Sequence, residues 1–193
     1  MKIKIICVAY ERPITMCGLI DSLIVQTNPN WELTIVHDYK ASDDVWGVIW
    51  NHDDPRVIFV ESETRTENYG HVNRRAMLEN MPSSDDFLLM TNDDNYYVPV
   101  FIEYFLREVE PDVGMVYCDS VHSHFEYNHH KTKIQVDHID IGSFIVRTDI
   151  AKAVGFHGVE FNADGYYAEL CLEECHKRGL REVYIPKPLF VHN

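Results

Sequence analysis

Short apolar runs alternate with helical stripes along the first 118 residues, and this alternation restricts the fold more than any other feature. Five apolar runs predict strands, at residues 3–8, 32–37, 57–61, 87–91 and 113–118. Apolar residues at helical spacing predict helices between them, at residues 13–26, 70–81 and 98–109. Strands that alternate with helices favour an α/β fold with a mostly parallel central sheet and helices on both faces.

The second half of the chain is less regular. Residues 120–138 are polar and histidine-rich, which predicts a hairpin or a mobile loop. Residues 139–147 and 183–185 are predicted as strands, and residues 166–178 as a helix that ends at Gly179.

Size and composition exclude several classes of protein. A chain of 193 residues suits one domain, and its net charge of −14 disfavours nucleic acid or an anionic membrane as a partner. No apolar run approaches the roughly 20 residues of a membrane span. The five cysteines are odd in number and form no CxxC pair, which favours a reducing, cytoplasmic setting.

Polar residues follow several of the predicted strands directly. Tyr10-Glu11-Arg12 follows the first strand, Asp38 the second and Asp93-Asp94 the fourth. Open α/β sheets bind ligands at the carboxyl ends of their strands, so these side chains are candidates for one site. Adjacent carboxylates suit Mg²⁺ or Mn²⁺, and a solvated turn is the alternative interpretation.

Two further groups of polar residues have open interpretations. The histidines between 122 and 138 could form a zinc site, but without a cysteine or acidic partner at ligand spacing, solvated loop histidines are favoured. Asp137 and Asp140 either face an acceptor substrate or cap a turn.

Four segments carry a family resemblance. They are "IKIICVAYERPITMCGLIDSLIVQTNPNWELTIVHDYKASDD", "TNDDNYYVP", "IDIGSFIVRTDIAKAVGF" and "LCLEECHKRGLREVYIPKPLFVHN". In order and spacing they resemble family 2 glycosyltransferases of the GT-A fold, and "TNDDNYYVP" looks like the DxD region of that family. The resemblance implies one GT-A domain over residues 1–193, with a nucleotide-binding half at 1–118 and an acceptor half at 119–193.

The resemblance also implies a reaction. A sugar would pass from a nucleotide-diphospho-sugar, with UDP favoured, to a hydroxyl of a glycan or similar acceptor, with Mn²⁺ or Mg²⁺ as cofactor. Asp38 would bind the base, Asp93 the ribose and Asp94 the metal. The supporting residues would be Tyr10, Glu11 and Arg12 around the base and ribose, Arg74 at the diphosphate, and His192 as a further metal or phosphate ligand.

The catalytic base is where the chain departs from the family pattern. The family places an acidic pair just before "LCL", where this chain has Tyr166 and Tyr167. Asp164 is the favoured base, with a helix N-cap as its alternative role. Glu169 is the other candidate, but a buried stripe of Tyr167, Leu170, Cys171 and Cys175 would place it on the outer face. An inverting reaction is favoured, whereas a retaining one would need no base there.

Two other functions fit parts of the pattern. A nucleotidyltransferase would show a glycine-rich loop and a lysine after the first strand, whereas this chain has Arg12 and no such loop. A nucleotide-sugar or glycan-binding module without turnover is the alternative outside the enzymes. The chain is short for the family, which suggests a minimal enzyme or one domain of a longer chain, as in some virus-encoded glycosyltransferases.

Overall fold

The computed structural model describes residues 1–82, 84 and 86–193. The strands in these ranges are β1 (Ile3–Ala9), β2 (Trp31–His37), β3 (Val57–Glu61), β4 (Phe87–Asn92), β5 (Asn95–Tyr97), β6 (Val113–His122), β7 (Asn128–His130), β8 (Phe144–Arg147) and β9 (Arg181–His192). The α-helices are α1 (Pro13–Ile24), α2 (Asp43–His52), α3 (His71–Asn80), α4 (Phe101–Arg107), α5 (Thr148–Val154) and α6 (Ala163–Lys177).

One sheet contains all of these strands, in the order β3-β2-β1-β4-β8-β6-β9-β5, with β7 paired to β6. The pairs β2–β3, β1–β2 and β1–β4 are parallel. β8 is antiparallel to both β4 and β6, so β6 runs in the same direction as β4, and β9 is parallel to β6. The five strands predicted in the first 118 residues therefore share one direction.

Side chains alternate between the two faces of the sheet, and each face is covered by helices. On β1, Ile3 and Ile5 belong to a core cluster with residues of α1, α2 and α4. Ile6 points the other way, into a cluster with residues of α3, α5 and α6. This period of two along a buried strand confirms the prediction of a sheet with helices on both faces.

Several element boundaries differ from the prediction. α2 and β5 were not predicted, and β8 is shorter than the predicted strand because a 3₁₀ turn occupies Ile141–Ser143. The side chain of Asp140 caps this turn by accepting a hydrogen bond from the Gly142 N–H at 2.8 Å. The histidine-rich segment forms a hairpin, since β6 extends to His122 and pairs with antiparallel β7.

β9 is much longer than the strand predicted at 183–185. Its register against β6 shifts on both sides of Asp119, which lies opposite Pro188. Such irregularities accommodate residues that cannot donate a ladder hydrogen bond, so the prolines do not end the strand. The end of β9 pairs with β5 and sets His192 opposite Asn95, next to the acidic turn after β4.

α6 ends as predicted. Gly179 has a φ of +70°, and its N–H donates to the His176 carbonyl at 3.0 Å. The Leu180 N–H donates to the Cys175 carbonyl at 2.9 Å, which completes a Schellman motif.

Among the described residues, no helix combines the length and the apolar character needed to span a bilayer.

Candidate active site

Two adjoining cavities open where β1, β2 and β4 end. The strand-end cavity has a volume of about 500 Å³, and its walls include Tyr10, Arg12, Asp38, Asp93 and Asp94. The histidine cavity has a volume of about 320 Å³, and its walls include Arg74, Asp140, Asp164, His122 and His130. Five residues line both cavities: Tyr69, Asn92, His124, Phe161 and His192.

The tight turn between β4 and β5 presents the paired carboxylates. Asp93 is only 3% exposed and accepts a hydrogen bond from the Tyr10 N–H at 3.2 Å. Burial raises the pKa of Asp93 to about 7, with Arg12 opposing this effect and Asp94 adding to it. Arg12 Nη1 donates to Asp94 Oδ2 at 2.5 Å, and the other oxygen of Asp94, Oδ1, is buried and has no hydrogen-bond partner among the residues that the structure describes.

Asp38 lines the strand-end cavity but is already occupied by protein donors. Its Oδ1 accepts from the Thr66 N–H and hydroxyl, both at 2.8 Å, and from the Asn73 amide at 3.0 Å. Its Oδ2 accepts from the Glu67 N–H at 3.0 Å. Burial alone would raise the pKa of Asp38, but these hydrogen bonds lower it below the ordinary value. A carboxylate has about four acceptor positions, so only Oδ2 has room for a ligand.

Tyr10 and Glu11 have different surroundings although they are adjacent. The Tyr10 ring lines the strand-end cavity and stacks under the Arg65 guanidinium, whose carbon lies 3.9 Å from the ring centroid. The Glu11 carboxylate is not part of either cavity wall and instead accepts from the Ser42 N–H at 3.0 Å, just before α2. Among the described residues, Glu11 therefore lies outside both cavity walls, whereas Arg65, which no sequence pattern singled out, lines the strand-end cavity.

Arg74 is buried beneath the wall that separates the two cavities. Its guanidinium donates to the Tyr69 carbonyl and pairs with His71 Nδ1, both at 2.9 Å, and it also donates to the Asn92 amide oxygen. Its Nε is buried without a partner. Burial lowers the pKa of Arg74, and nearby acids led by Asp164 partly restore it. A buried cation with an unused donor is a suitable binding point for an anion.

His192 connects the acidic turn to the histidine cavity. Its ring stacks on His122 with centroids 4.0 Å apart and planes 7° from parallel. Nε2 lies 3.5 Å from Asp140 Oδ2, and Nδ1 is buried with no hydrogen-bond partner in the described part of the chain. Burial lowers the pKa of His192, and burial together with neighbouring histidines lowers the pKa of His122 to about 4.

These contacts correct the interpretation of His122 as a solvated loop residue, whereas His124, His129 and His138 are exposed, as that interpretation expects. His122 is half-buried, and it has an acidic neighbour in space, Asp140, that sequence spacing did not reveal. The donor atoms of His122, Asp140 and His192 lie within 4.8 Å of one another. An ion lies in the plane of each imidazole that binds it, so the two rings, stacked face to face, do not bind one ion in this arrangement.

Asp164 points into the histidine cavity from the first turn of α6. The helix begins at Ala163 with Asn162 as its N-cap residue, so Asp164 is not the cap. Asp164 Oδ1 accepts from the Gly165 N–H at 2.9 Å. Burial, reinforced by the charge of Asp140, raises the pKa of Asp164 to about 6. Asp164 is therefore a stronger base than an exposed carboxylate.

Glu169 and the buried stripe of α6 differ from the prediction. Leu170 is 46% exposed, and Ala168 is fully buried in its place. Glu169 is half-buried and its carboxylate accepts from the Val136 N–H at 2.9 Å. Glu169 lines neither cavity, so the structure makes it a support for the segment around residue 136.

Comparison with known proteins identifies similar sequences. The family model described as "Glycosyl transferase family 2" matches residues 4–174. A curated relative from Bacillus subtilis (strain 168), "Uncharacterized glycosyltransferase YwdF", is 32% identical over 127 residues. That match covers 65% of this chain and 42% of the relative, so the chain spans less than half the length of this relative.

Solved structures with the same fold include S. aureus TarS. TarS 1–349 superposes with a TM-score of 0.76 at 15% identity, over 100% of this chain and 60% of that one. The same TarS fragment in complex with UDP-GlcNAc gives a TM-score of 0.72 at 14% identity, over 99% of this chain and 58% of that one. At this level of identity the likeness shows a common fold.

Proposed function

This chain belongs to glycosyl transferase family 2, and from that premise we propose that it transfers a sugar from a nucleotide-diphospho-sugar to a hydroxyl of a glycan or similar acceptor. A UDP-linked donor is favoured, since neighbours of the same fold have been solved with UDP and UDP-GlcNAc. The observation that carries the proposal is the pair of cavities with a common wall. One contains the acidic turn, and the other contains a buried carboxylate with a pKa of about 6.

The strand-end cavity is proposed to bind the nucleotide. Tyr10 lines this cavity and is 38% exposed, so its ring offers a stacking surface, and Asp38 Oδ2 has room to accept one hydrogen bond from a base N–H. Asp93 is the first residue of the acidic turn and lines this cavity, where it would contact the ribose. His124, Phe161 and His192 complete this cavity, so the proposed GT-A domain needs residues of both halves to bind a donor.

The residues of the acidic turn fit a divalent metal, Mn²⁺ or Mg²⁺. Asp94 Oδ1 and His192 Nδ1 are both buried and have no hydrogen-bond partner, which is costly unless a cation or donor reaches them. Asp94 and His192 would therefore hold the ion, while Arg12 pairs with the other oxygen of Asp94. When bound, such an ion neutralises the negative charge that develops on the departing nucleoside diphosphate.

Two arginine side chains, Arg74 and Arg12, would also stabilise the negative charge of the departing nucleoside diphosphate. Arg74 is fixed by three hydrogen-bond partners, and its Nε–H has no partner among the described residues, so it would act on the diphosphate from a fixed position. The Arg12 side chain is 55% exposed and is free to turn toward an entering phosphate.

Asp164 is proposed as the general base. It lines the histidine cavity, where the acceptor hydroxyl would bind, and it is ionised above a pKa of about 6. The carboxylate would take the proton of the hydroxyl as the hydroxyl attacks the sugar, which corresponds to an inverting transfer. A retaining transfer, which needs no base there, is the alternative.

Release of nucleoside diphosphate from a panel of UDP-, GDP-, TDP- and CDP-linked sugars tests the proposal. We expect release from a UDP-sugar with Mn²⁺ and none with a chelator. Donor binding by calorimetry without release, for every donor and with several acceptors, would instead indicate a binding module.

A further inference from the structure

Three polar residues meet between α1 and α2, away from both cavities. Cys17 and Asp21 lie one helical turn apart on α1, and His52 is the last residue of α2. Among the described residues, none of these three lines the strand-end cavity or the histidine cavity. The cluster therefore has no part in the function proposed above and is independent of it.

Cys17, Asp21 and His52 place one ligand atom each within 4.8 Å of the others, and Asp21 turns one carboxylate oxygen to Cys17 and the other to His52. Cys17 Sγ lies 3.9 Å from His52 Nε2 and 3.7 Å from Asp21 Oδ2, and His52 Nε2 lies 3.2 Å from Asp21 Oδ1. Zinc bond lengths at tetrahedral angles give ligand separations of about 3.6 Å for S–N, 3.5 Å for S–O and 3.3 Å for N–O. We propose that Cys17, Asp21 and His52 form a zinc site that joins α1 to α2.

The tautomer of His52 supports this assignment. Nδ1 lies 2.6 Å from the Val48 carbonyl and donates its proton there. In a neutral imidazole, Nε2 then carries a lone pair that faces the Asp21 carboxylate. Two acceptors this close require a cation between them or a second proton on the ring. A backbone carbonyl on the distal nitrogen is also the usual support for a metal-binding histidine.

The same geometry excludes a nucleophilic triad. In a Cys-His-Asp arrangement, the thiol and the carboxylate contact different ring nitrogens of the histidine. Here both Cys17 and Asp21 face Nε2, while Nδ1 is held by a carbonyl. The three residues are arranged to converge on one point, as metal ligands do.

The site lies at the surface and leaves one position for water. The His52 side chain is 11% exposed and that of Asp21 is 65% exposed, so an ion there reaches solvent on the Asp21 side. Three protein ligands and a water complete a tetrahedral zinc. The ion would hold α1 against α2, the two helices that carry its ligands.

Cobalt(II) replaces zinc and reports on thiolate ligands through a near-ultraviolet charge-transfer band. We expect one equivalent of Co²⁺ to produce this band in the full chain and Zn²⁺ to abolish it. Cys17→Ser should lose the band, and His52→Gln should weaken Co²⁺ binding at least 100-fold. The matched control His176→Gln changes an exposed histidine paired with Glu182 and should bind as the wild type does.

Thermal unfolding provides the second measurement. Zn²⁺ at 100 times its dissociation constant should raise the Tm by roughly 5–10 °C, and Cys17→Ser should lose this gain. A wild-type protein with no thiolate band, or a band that survives Cys17→Ser, would overturn the assignment. Either result would mean that Cys17, Asp21 and His52 are joined by their own contacts and not by a metal ion. Circular dichroism of each variant confirms that the fold is retained.

Discussion

Replacement of Asp164 by asparagine should make the protein more stable while it removes most of the turnover. The amide oxygen of asparagine keeps the hydrogen bond that Oδ1 accepts from the Gly165 N–H. The pKa of Asp164 is raised from 3.8 to about 6 by burial and by Asp140. A pKa about two units above the ordinary value means that the ionised carboxylate costs about 3 kcal/mol of folding free energy.

The direction of the pKa shift determines how this cost in folding free energy changes with pH. An acid with a raised pKa in the folded state destabilises the fold above its ordinary pKa, and the cost is complete above a pH of about 6. Asp164→Asn should therefore raise the free energy of unfolding by about 1–3 kcal/mol at pH 8. The difference from wild type should shrink as the pH falls and vanish near about pH 3, below the ordinary pKa of 3.8, where the wild-type carboxyl is protonated in both states. Urea unfolding at the two pH values measures both quantities.

Turnover should change in the opposite direction. General-base assistance contributes about 10²–10⁴-fold, so kcat should fall by that factor while nucleotide affinity stays unchanged. In the wild type, kcat/KM should fall as the pH drops through about 6, with roughly a tenth left at pH 5. This acid limb should be missing from the residual activity of Asp164→Asn. Glu169→Gln is the control and should remain active, because Glu169 lines neither cavity.

Two outcomes would contradict the assignment of Asp164 as the base. An inactive Glu169→Gln beside an active Asp164→Asn would show that the wrong face of α6 has been assigned to the acceptor. Full activity in both variants would replace the inverting scheme with a retaining one, and the anomeric configuration of the product, read by NMR, would establish which applies.

Three further variants test the strand-end cavity. Asp94→Ala should abolish Mn²⁺-dependent binding of nucleoside diphosphate in calorimetry, and unchanged affinity would remove Asp94 as a metal ligand. Asp38→Ala should cost about 1.5–3 kcal/mol in nucleotide affinity and reduce the preference for uracil over cytosine, and it should lower the Tm because Asp38 accepts four protein donors. Gly70→Ala should destabilise the fold by at least about 1 kcal/mol, because its φ is +74° and a Cβ would lie 2.7 Å from Val8. Gly47→Ala, in the interior of α2 with open space around it, should stabilise by up to about 1 kcal/mol in the same denaturation assay.

The elements that could be predicted from the sequence are those whose pattern of apolar residues matches the pattern of buried positions in the structure. The apolar run of β4 is buried on both faces, and the stripe of α1 packs on the sheet, so each pattern has one structural solution. α2 was missed because its polar ends and exposed Trp50 mask a short apolar stripe of Val45, Val48 and Ile49. The full length of β9 could not be predicted, since its prolines are tolerated only because of the irregular register against β6.

The residues of the site also divide into those that the local sequence predicts and those that only tertiary folding brings together. Asp93, Asp94 and Asp38 were predictable because each directly follows a strand that ends at one edge of the sheet. The role of Asp140 could not be chosen from the sequence. One of its oxygens caps a 3₁₀ turn and the other faces His192 at the end of β9, and both contacts form only in the folded chain. The stack of Arg65 on Tyr10 involves residues 55 positions apart whose contact is created only by tertiary folding.

The position of β9 also constrains how the protein can be made. β9 lies between β6 and β5, so a growing chain has two unpaired strand edges until residues 181–192 have left the ribosome. Pairing of Asn95 with His192 must then wait for nearly a hundred further residues to be synthesised, at about 5–20 residues per second. During those seconds, the exposed edges invite pairing with other nascent chains, and the acidic turn lacks one of its two proposed metal ligands. Translation speed over residues 95–192, about half of this chain, would thus influence both the yield of folded protein and the moment at which the proposed metal site is complete.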